Sequence, residues 1–144
     1  MSSDQNKALV QRVVEEVYNQ GNESIVQELY ASNYAHHDLS MPGDPALSLN
    51  DFLGVLRNFR SSFPDMRVHI EDLTAEGNKV VERWSCAGTN LGSWQGVPPT
   101  HKSINVEGIR IFRIEGGKIV EAWVSFDPLV VVRQMDLIPE AAGV

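Results

Sequence analysis

Cysteine is nearly absent: Cys86 is the only one in 144 residues. That excludes an intramolecular disulfide and any zinc or iron–sulfur site built on several cysteines. No metal site is expected. Apolar residues never run on for the roughly 18 positions that a membrane-spanning helix needs. Basic residues are also scarce, 12 against 19 acidic ones, for a formal net charge of −7. Nucleic acids and anionic membranes are held by basic patches, so neither is expected as a partner. The opening stretch, Met1 to Lys7, is polar and lacks the apolar core of a signal peptide. The protein reads as cytoplasmic.

The apolar share, 42%, and the charged share, 22%, suit one globular domain over residues 1–144. A chain of this length buries about two-thirds of its unfolded surface, so it needs no covalent staple. No internal repeat, linker or low-complexity segment interrupts it.

The first third has helical periodicity. Leu9, Val10, Val13, Val14, Val17 and Tyr18 form one apolar stripe. Ser2, Ser3 or Asp4 is the expected cap and Gly21 the stop. A shorter stripe, Ile25, Val26, Leu29 and Tyr30, follows. Ala31 to Leu47 reads as a loop containing His36-His37-Asp38. A third helix is predicted from Ser48, with Asp51 three residues on and Phe52, Leu53, Val55, Leu56 and Phe59 as its stripe. Beyond Pro64 the period drops to two. Strands are predicted from Met66, over Lys79–Thr89, over Ile104–Ile114 and over Ile119–Phe126. Asp127-Pro128 opens a final helix that runs to Pro139, and the last residues read as frayed. In the third strand Ile104 and Val106 are even while Ile109 and Ile111 are odd, which predicts a β-bulge at Glu107-Gly108. The order is α+β: helices packed on one face of a curved antiparallel sheet, with a closing helix. The mouth of such a cone is the expected ligand pocket.

Three stretches carry a resemblance. They are Thr89-Asn90-Leu91-Gly92-Ser93-Trp94-Gln95-Gly96-Val97-Pro98-Pro99-Thr100, Ile111 to Trp123 with its Gly116-Gly117-Lys118-Ile119 turn, and Phe126-Asp127. With Phe63-Pro64-Asp65 and Val132-Arg133-Gln134-Met135, they resemble the SnoaL-like polyketide cyclase (ester cyclase) family of the NTF2-like superfamily. The resemblance runs from about Leu9 to Pro139. It implies an NTF2-like cone, a homodimer, a hydrophobic small-molecule substrate, and ring closure by aldol condensation without a cofactor. In that chemistry one pocket carboxylate acts as acid and base. The family's aspartate position is Val124 here. A histidine common after Gly-Thr is Asn90, and a pocket histidine of the third strand is Arg110.

The candidate site residues follow. Alternation puts Ala122, Val124 and Phe126 on one face of the last strand, with Glu121 and Trp123 on the other. Arg110 shares a face with Gly108 and Phe112. It would stabilise an enolate or hold a carboxylate, or else pair with a neighbouring acid. His37, beside Asp38, is the candidate base. Asp127 is either a pocket acid or a helix cap. Glu107 would be re-aimed inward by the bulge. Trp84 and Trp94 would wall a flat ligand, with Asn90, Phe112 and Val124 nearby. Trp123 faces outward, as a sheet-to-sheet dimer contact would. His69 and His101 read as solvated, and Cys86 as a small packing residue.

The first functional reading is a cofactor-free cyclase or isomerase of a polyketide-like or terpenoid carbonyl compound. An epoxide hydrolase is a variant of it. A non-catalytic carrier of a hydrophobic small molecule, or a protein–protein module, would use the same cone.

Overall fold

The computed structural model describes residues 2–41, 43 and 45–138. The stretch read as frayed, from Pro139 on, lies outside them.

Helix α1 (Ser3–Arg12) begins with a capping box. The Ser2 hydroxyl accepts from the Gln5 N–H, and the Gln5 side chain accepts from the Ser2 N–H. The helix widens into a π-helical stretch, Val13–Asn19, that buries Val13, Val14, Val17 and Tyr18. Gly21, at φ +65°, ends it. Arg60 Nη1 donates to the carbonyls of Tyr18 and Asn19, at 2.6 and 2.7 Å, and so closes the helix end. The Asn19 amide then pairs with both backbone groups of Val68. These bonds fix where Tyr18 enters the core.

A short helix α2 (Val26–Leu29) leads into strand β1 (Tyr30–Asp38). Helix α3 (Leu49–Ser62) is capped by Ser48, whose hydroxyl accepts from the Asp51 N–H. Strands β2 (Arg67–Glu76), β3 (Lys79–Thr89), β4 (Ser103–Glu115) and β5 (Lys118–Phe126) form an antiparallel meander. Helix α4 (Pro128–Gln134) closes the chain.

The sheet order is β1-β5-β4-β3-β2, with β1 parallel to β5. Two expectations are corrected. The segment read as a loop after Tyr30 is this fifth strand, so the sheet is mixed. The free edge of β1 at His36 is satisfied by Leu47 in both directions. The bulge expected at Glu107-Gly108 is absent, because β3 and β4 pair without a register shift from Lys79↔Arg113 to Thr89↔Ser103. Even positions of β4 face inward throughout, and Ile109 is exposed. The apparent phase flip arises because Gly108 and Arg110 occupy inward positions where aliphatics are usual. The shift in β4 lies instead between Arg113 and Ile114, against β5.

The core fills the concave face under α1, its π-helical extension and α3. Among the described residues, no helix is long and apolar enough to cross a membrane.

Candidate active site

One cavity of about 160 Å³ opens between the concave sheet face, α3 and α4. Its walls are mostly apolar: Phe52, Leu56 and Phe59 from α3, Val68, Cys86, Val106 and Val124 from the strands, and Val131 from α4. Polar atoms reach it from Tyr18, His36, Asp38, Trp84 and Arg110. A few polar groups converging in an apolar pocket is the usual form of a small-molecule site.

Strand pairing arranges these groups. Glu82 pairs with Arg110, Arg110 with Val124, and Val124 with Asp38. The four residues thus form one row across β3, β4, β5 and β1. Neighbouring strands are about 4.8 Å apart, so the backbones of Arg110 and Asp38 flank Val124 at roughly 10 Å from each other. The adjacent row on one side carries Val80, Phe112, Ala122 and His36, and the row on the other side carries Trp84, Gly108 and Phe126.

Arg110 and Glu82 are buried together, with Nε donating to Oε1 at 2.7 Å. Burial opposes the charge on Arg110, but Tyr18 and Glu82 more than offset it and raise its affinity for the proton. The guanidinium therefore stays cationic. Its Cζ lies over the Tyr18 ring, 4.2 Å from the centroid, and 5.3 Å from that of Trp84. Three buried donors here have no hydrogen-bond partner among the described residues: Arg110 Nη2, Trp84 Nε1 and Tyr18 Oη. Burial pushes the Tyr18 hydroxyl up, so it remains protonated.

On β1, Tyr34, His36 and Asp38 face inward by period two. His36 Nδ1 lies 2.7 Å from the Tyr34 hydroxyl, and its ring stacks on Phe52. Asp38 Oδ1 accepts from the Ser40 N–H at 2.9 Å and from the Ser40 hydroxyl at 2.5 Å.

Of the residues singled out from sequence, Arg110, Trp84 and Val124 meet at the cavity. The others do not line it. His37 points to the convex face, where Nε2 sits 2.7 Å from Glu121 and the ring stacks on Trp123 at 5.4 Å. Asp127 caps α4, accepting from the Leu129 N–H at 3.0 Å. Glu107 is exposed on the convex face. Phe112 is core, under the Arg110 guanidinium. Asn90 is buried as a loop organiser: its Oδ1 accepts from Thr100, and its Nδ2 donates to the carbonyls of Ser62 and Gly92. Trp94 packs at the edge of the core and bridges Val97. Tyr18 went unremarked as a site residue, and of the His36-His37-Asp38 triplet the sequence reading favours His37, whereas His36 and Asp38 line the cavity. The period-two spacing of Tyr34, His36 and Asp38 was the available signal. Burial pushes the Cys86 thiol up to about 11, which keeps it protonated. Among the described residues, no group of three or more His, Cys, Asp or Glu could hold a metal ion.

Helices folded over a curved sheet around a mostly apolar cavity define an NTF2-like small-molecule site. The chain belongs to the SnoaL-like polyketide cyclase family, whose model matches residues 8–135. It is similar to the structure of AclR from Streptomyces galilaeus, a proposed hydroxylase: TM-score 0.85 and 22% identity over 97% of this chain and 86% of that one. It is also similar to IdmH from Streptomyces antibioticus, a proposed polyketide cyclase: TM-score 0.81 and 26% identity over 92% and 99%. A proposed polyketide cyclase from Acidithiobacillus ferrooxidans gives 0.79 and 27% over 96% and 100%. No curated protein matches the chain.

Proposed function

We propose that the protein is a cofactor-free cyclase or isomerase of a carbonyl compound, with Asp38 moving the proton and Arg110 holding the oxygen. The carrying observation is the row Arg110, Val124, Asp38. A substrate lying over the small apolar Val124 has a cation on one side and a carboxylate on the other. The resemblance puts the family's carboxylate at Val124, and Asp38, paired with it one strand over, lines the same cavity.

The step balances as follows. The Asp38 carboxylate takes a proton from the carbon next to the carbonyl, giving a neutral carboxylic acid and an enolate. Arg110 stabilises the enolate oxygen as charge develops there, in a mostly apolar pocket. The enolate carbon then bonds to a second carbonyl of the same molecule, and the resulting alkoxide takes back the proton from Asp38. Return of the proton to a different carbon makes the reaction an isomerisation. His36, one row deeper, lines the same cavity, tied to Tyr34.

The test is exchange of ketone α-protons for deuterium, followed by proton NMR on a panel of cyclic ketones. Asp38→Asn should slow exchange by about 10²- to 10⁴-fold, while His37→Ala, on the convex face, should leave it within about twofold of wild type. Exchange in Asp38→Asn at the wild-type rate would remove the reading. A protein that binds such ketones without exchanging them is a carrier.

We also infer a homodimer through the convex sheet face. Val81, Ile111 and Trp123 lie in one row across β3, β4 and β5, and Val81 and Ile109 are exposed at 40% and 50%. Contiguous apolar side chains on a sheet favour a partner that removes them from water. Ile109→Glu should shift the molar mass in light scattering to that of the monomer and leave ketone exchange in place. A wild type that is already monomeric at micromolar concentration would overturn this.

A further inference from the structure

The cavity has a size and an unsatisfied polarity, and together they define its ligand more closely than the family does. About 160 Å³ is close to the volume of an engineered apolar cavity that takes up benzene. One six-membered ring fits below the mouth; several fused rings do not. Tyr18, Trp84 and Arg110 line it, are each more than nine-tenths buried, and each carries a buried polar atom without a partner among the described residues. Buried donors in native structures nearly always have acceptors. Indole and guanidinium groups only donate, so the missing group is an acceptor.

The charge state narrows the acceptor further. Glu82 already balances Arg110. A carboxylate or phosphate would therefore bring an uncompensated charge into an apolar pocket, at high cost. A neutral ketone or phenol brings none. An oxygen that gains charge only during reaction would draw on the donors when they are needed.

We propose that the cavity accepts a single planar ring carrying a carbonyl or phenolic oxygen, inserted oxygen-first onto Arg110 Nη2, Trp84 Nε1 and Tyr18 Oη. The substrate is a monocyclic ketone or enone, or a larger polyketide that presents one terminal ring and leaves the rest outside the mouth. This rests on the reading of the cavity as the reaction site, but its test needs no turnover.

The probe is 4-nitrophenol, whose ionisation is visible by absorbance, titrated into the full chain beside nitrobenzene and 4-nitrobenzoate. The phenol should bind at least about tenfold tighter than either control and should bind in its neutral form. Tyr18→Phe removes only a buried, unpartnered hydroxyl, so the variant folds. It should weaken the phenol about tenfold and leave nitrobenzene unchanged. Trp84→Phe should do the same. A three-ring phenol, 9-phenanthrol, should gain less than about tenfold over phenol itself, because its outer rings stay at the mouth.

Equal binding of nitrobenzene and 4-nitrophenol, or a Tyr18→Phe variant indistinguishable from wild type, would overturn the oxygen site. A hundredfold gain for 9-phenanthrol would overturn the one-ring limit. Oxygen-dependent binding of 4-nitrophenol by a protein that exchanges no ketone protons would support this site while removing the proton-transfer reading.

Discussion

Arg110→Met should destabilise the protein by about 3–5 kcal/mol, the loss expected when a buried ion pair loses one partner. Glu82 is fully buried, and its recorded side-chain partner is Arg110 Nε at 2.7 Å; its Oε2 has no partner among the described residues. Without the guanidinium, a carboxylate stays in a wall of apolar groups with nothing to offset its charge. Domains are typically stable by only about 5–15 kcal/mol, so the loss is a large fraction of the whole. Urea denaturation of wild type and variant measures it. The companion experiment is Glu82→Leu with Arg110→Met. Removing both charges together should recover most of the stability, because an ion pair replaced by apolar groups of similar size is often neutral or better. A double-mutant cycle should therefore show strong coupling. Additive losses, or a single variant within about 1 kcal/mol of wild type, would contradict this account.

The pair also bears on function. An arginine kept only for stability would engage its carboxylate with both arms of the fork. Here Nε alone engages Glu82, and Nη2 has no partner among the described residues, on a side chain that lines the cavity. The stable double variant should accordingly bind 4-nitrophenol no better than nitrobenzene, which separates the role of Arg110 toward ligand from its role toward Glu82.

How far the chain can be read from its residues depends on which signal each element carries. Caps and strand periods are local and strong. The capping acceptors Ser2, Ser48 and Asp127, the Gly21 stop and the four-strand meander were all legible. Strand β1 was not. Its inward residues are Tyr34, His36 and Asp38 rather than aliphatics, and its partner β5 lies some 85 residues on, so neither composition nor neighbourhood marks it. Missing that strand also misplaced the histidine. In a strand, adjacent residues face opposite ways, and choosing between His36 and His37 requires knowing that a strand is there. The false bulge at Glu107-Gly108 has the same origin. Gly108 and Arg110 break the aliphatic alternation of β4 because they belong to the site, and local rules fail most where residues serve a ligand rather than the core.

Gly108→Ala should abolish ligand binding while leaving a folded chain. Gly108 faces Trp84 across the β3–β4 pair. A Cβ there would lie 2.4 Å from Trp84 Cζ2, 2.7 Å from its Cε2 and 2.7 Å from the Ser125 carbonyl oxygen. An indole is rigid and cannot yield at its tip, so the whole ring must move. Phe126, next in the same row beyond Gly108, stands 6.0 Å from the indole, ring to ring, and the open volume that both line is the cavity. The ring therefore shifts into the space meant for a ligand and carries Nε1 with it. Overpacking of this kind costs about 1–3 kcal/mol, less than Arg110→Met, yet 4-nitrophenol binding should fall by far more than tenfold. Trp84→Phe in the same chain removes the clash with the indole but not the one with the Ser125 carbonyl, so it should restore nitrobenzene binding only in part and not the preference for the phenol. Gly54→Ala is the matched control: nothing lies within 4 Å of its Cβ in the middle of α3, and it should stabilise by about 0.5–1 kcal/mol. Normal phenol affinity in Gly108→Ala would mean that Trp84 has another place to go, and that the indole does not line the ligand's path.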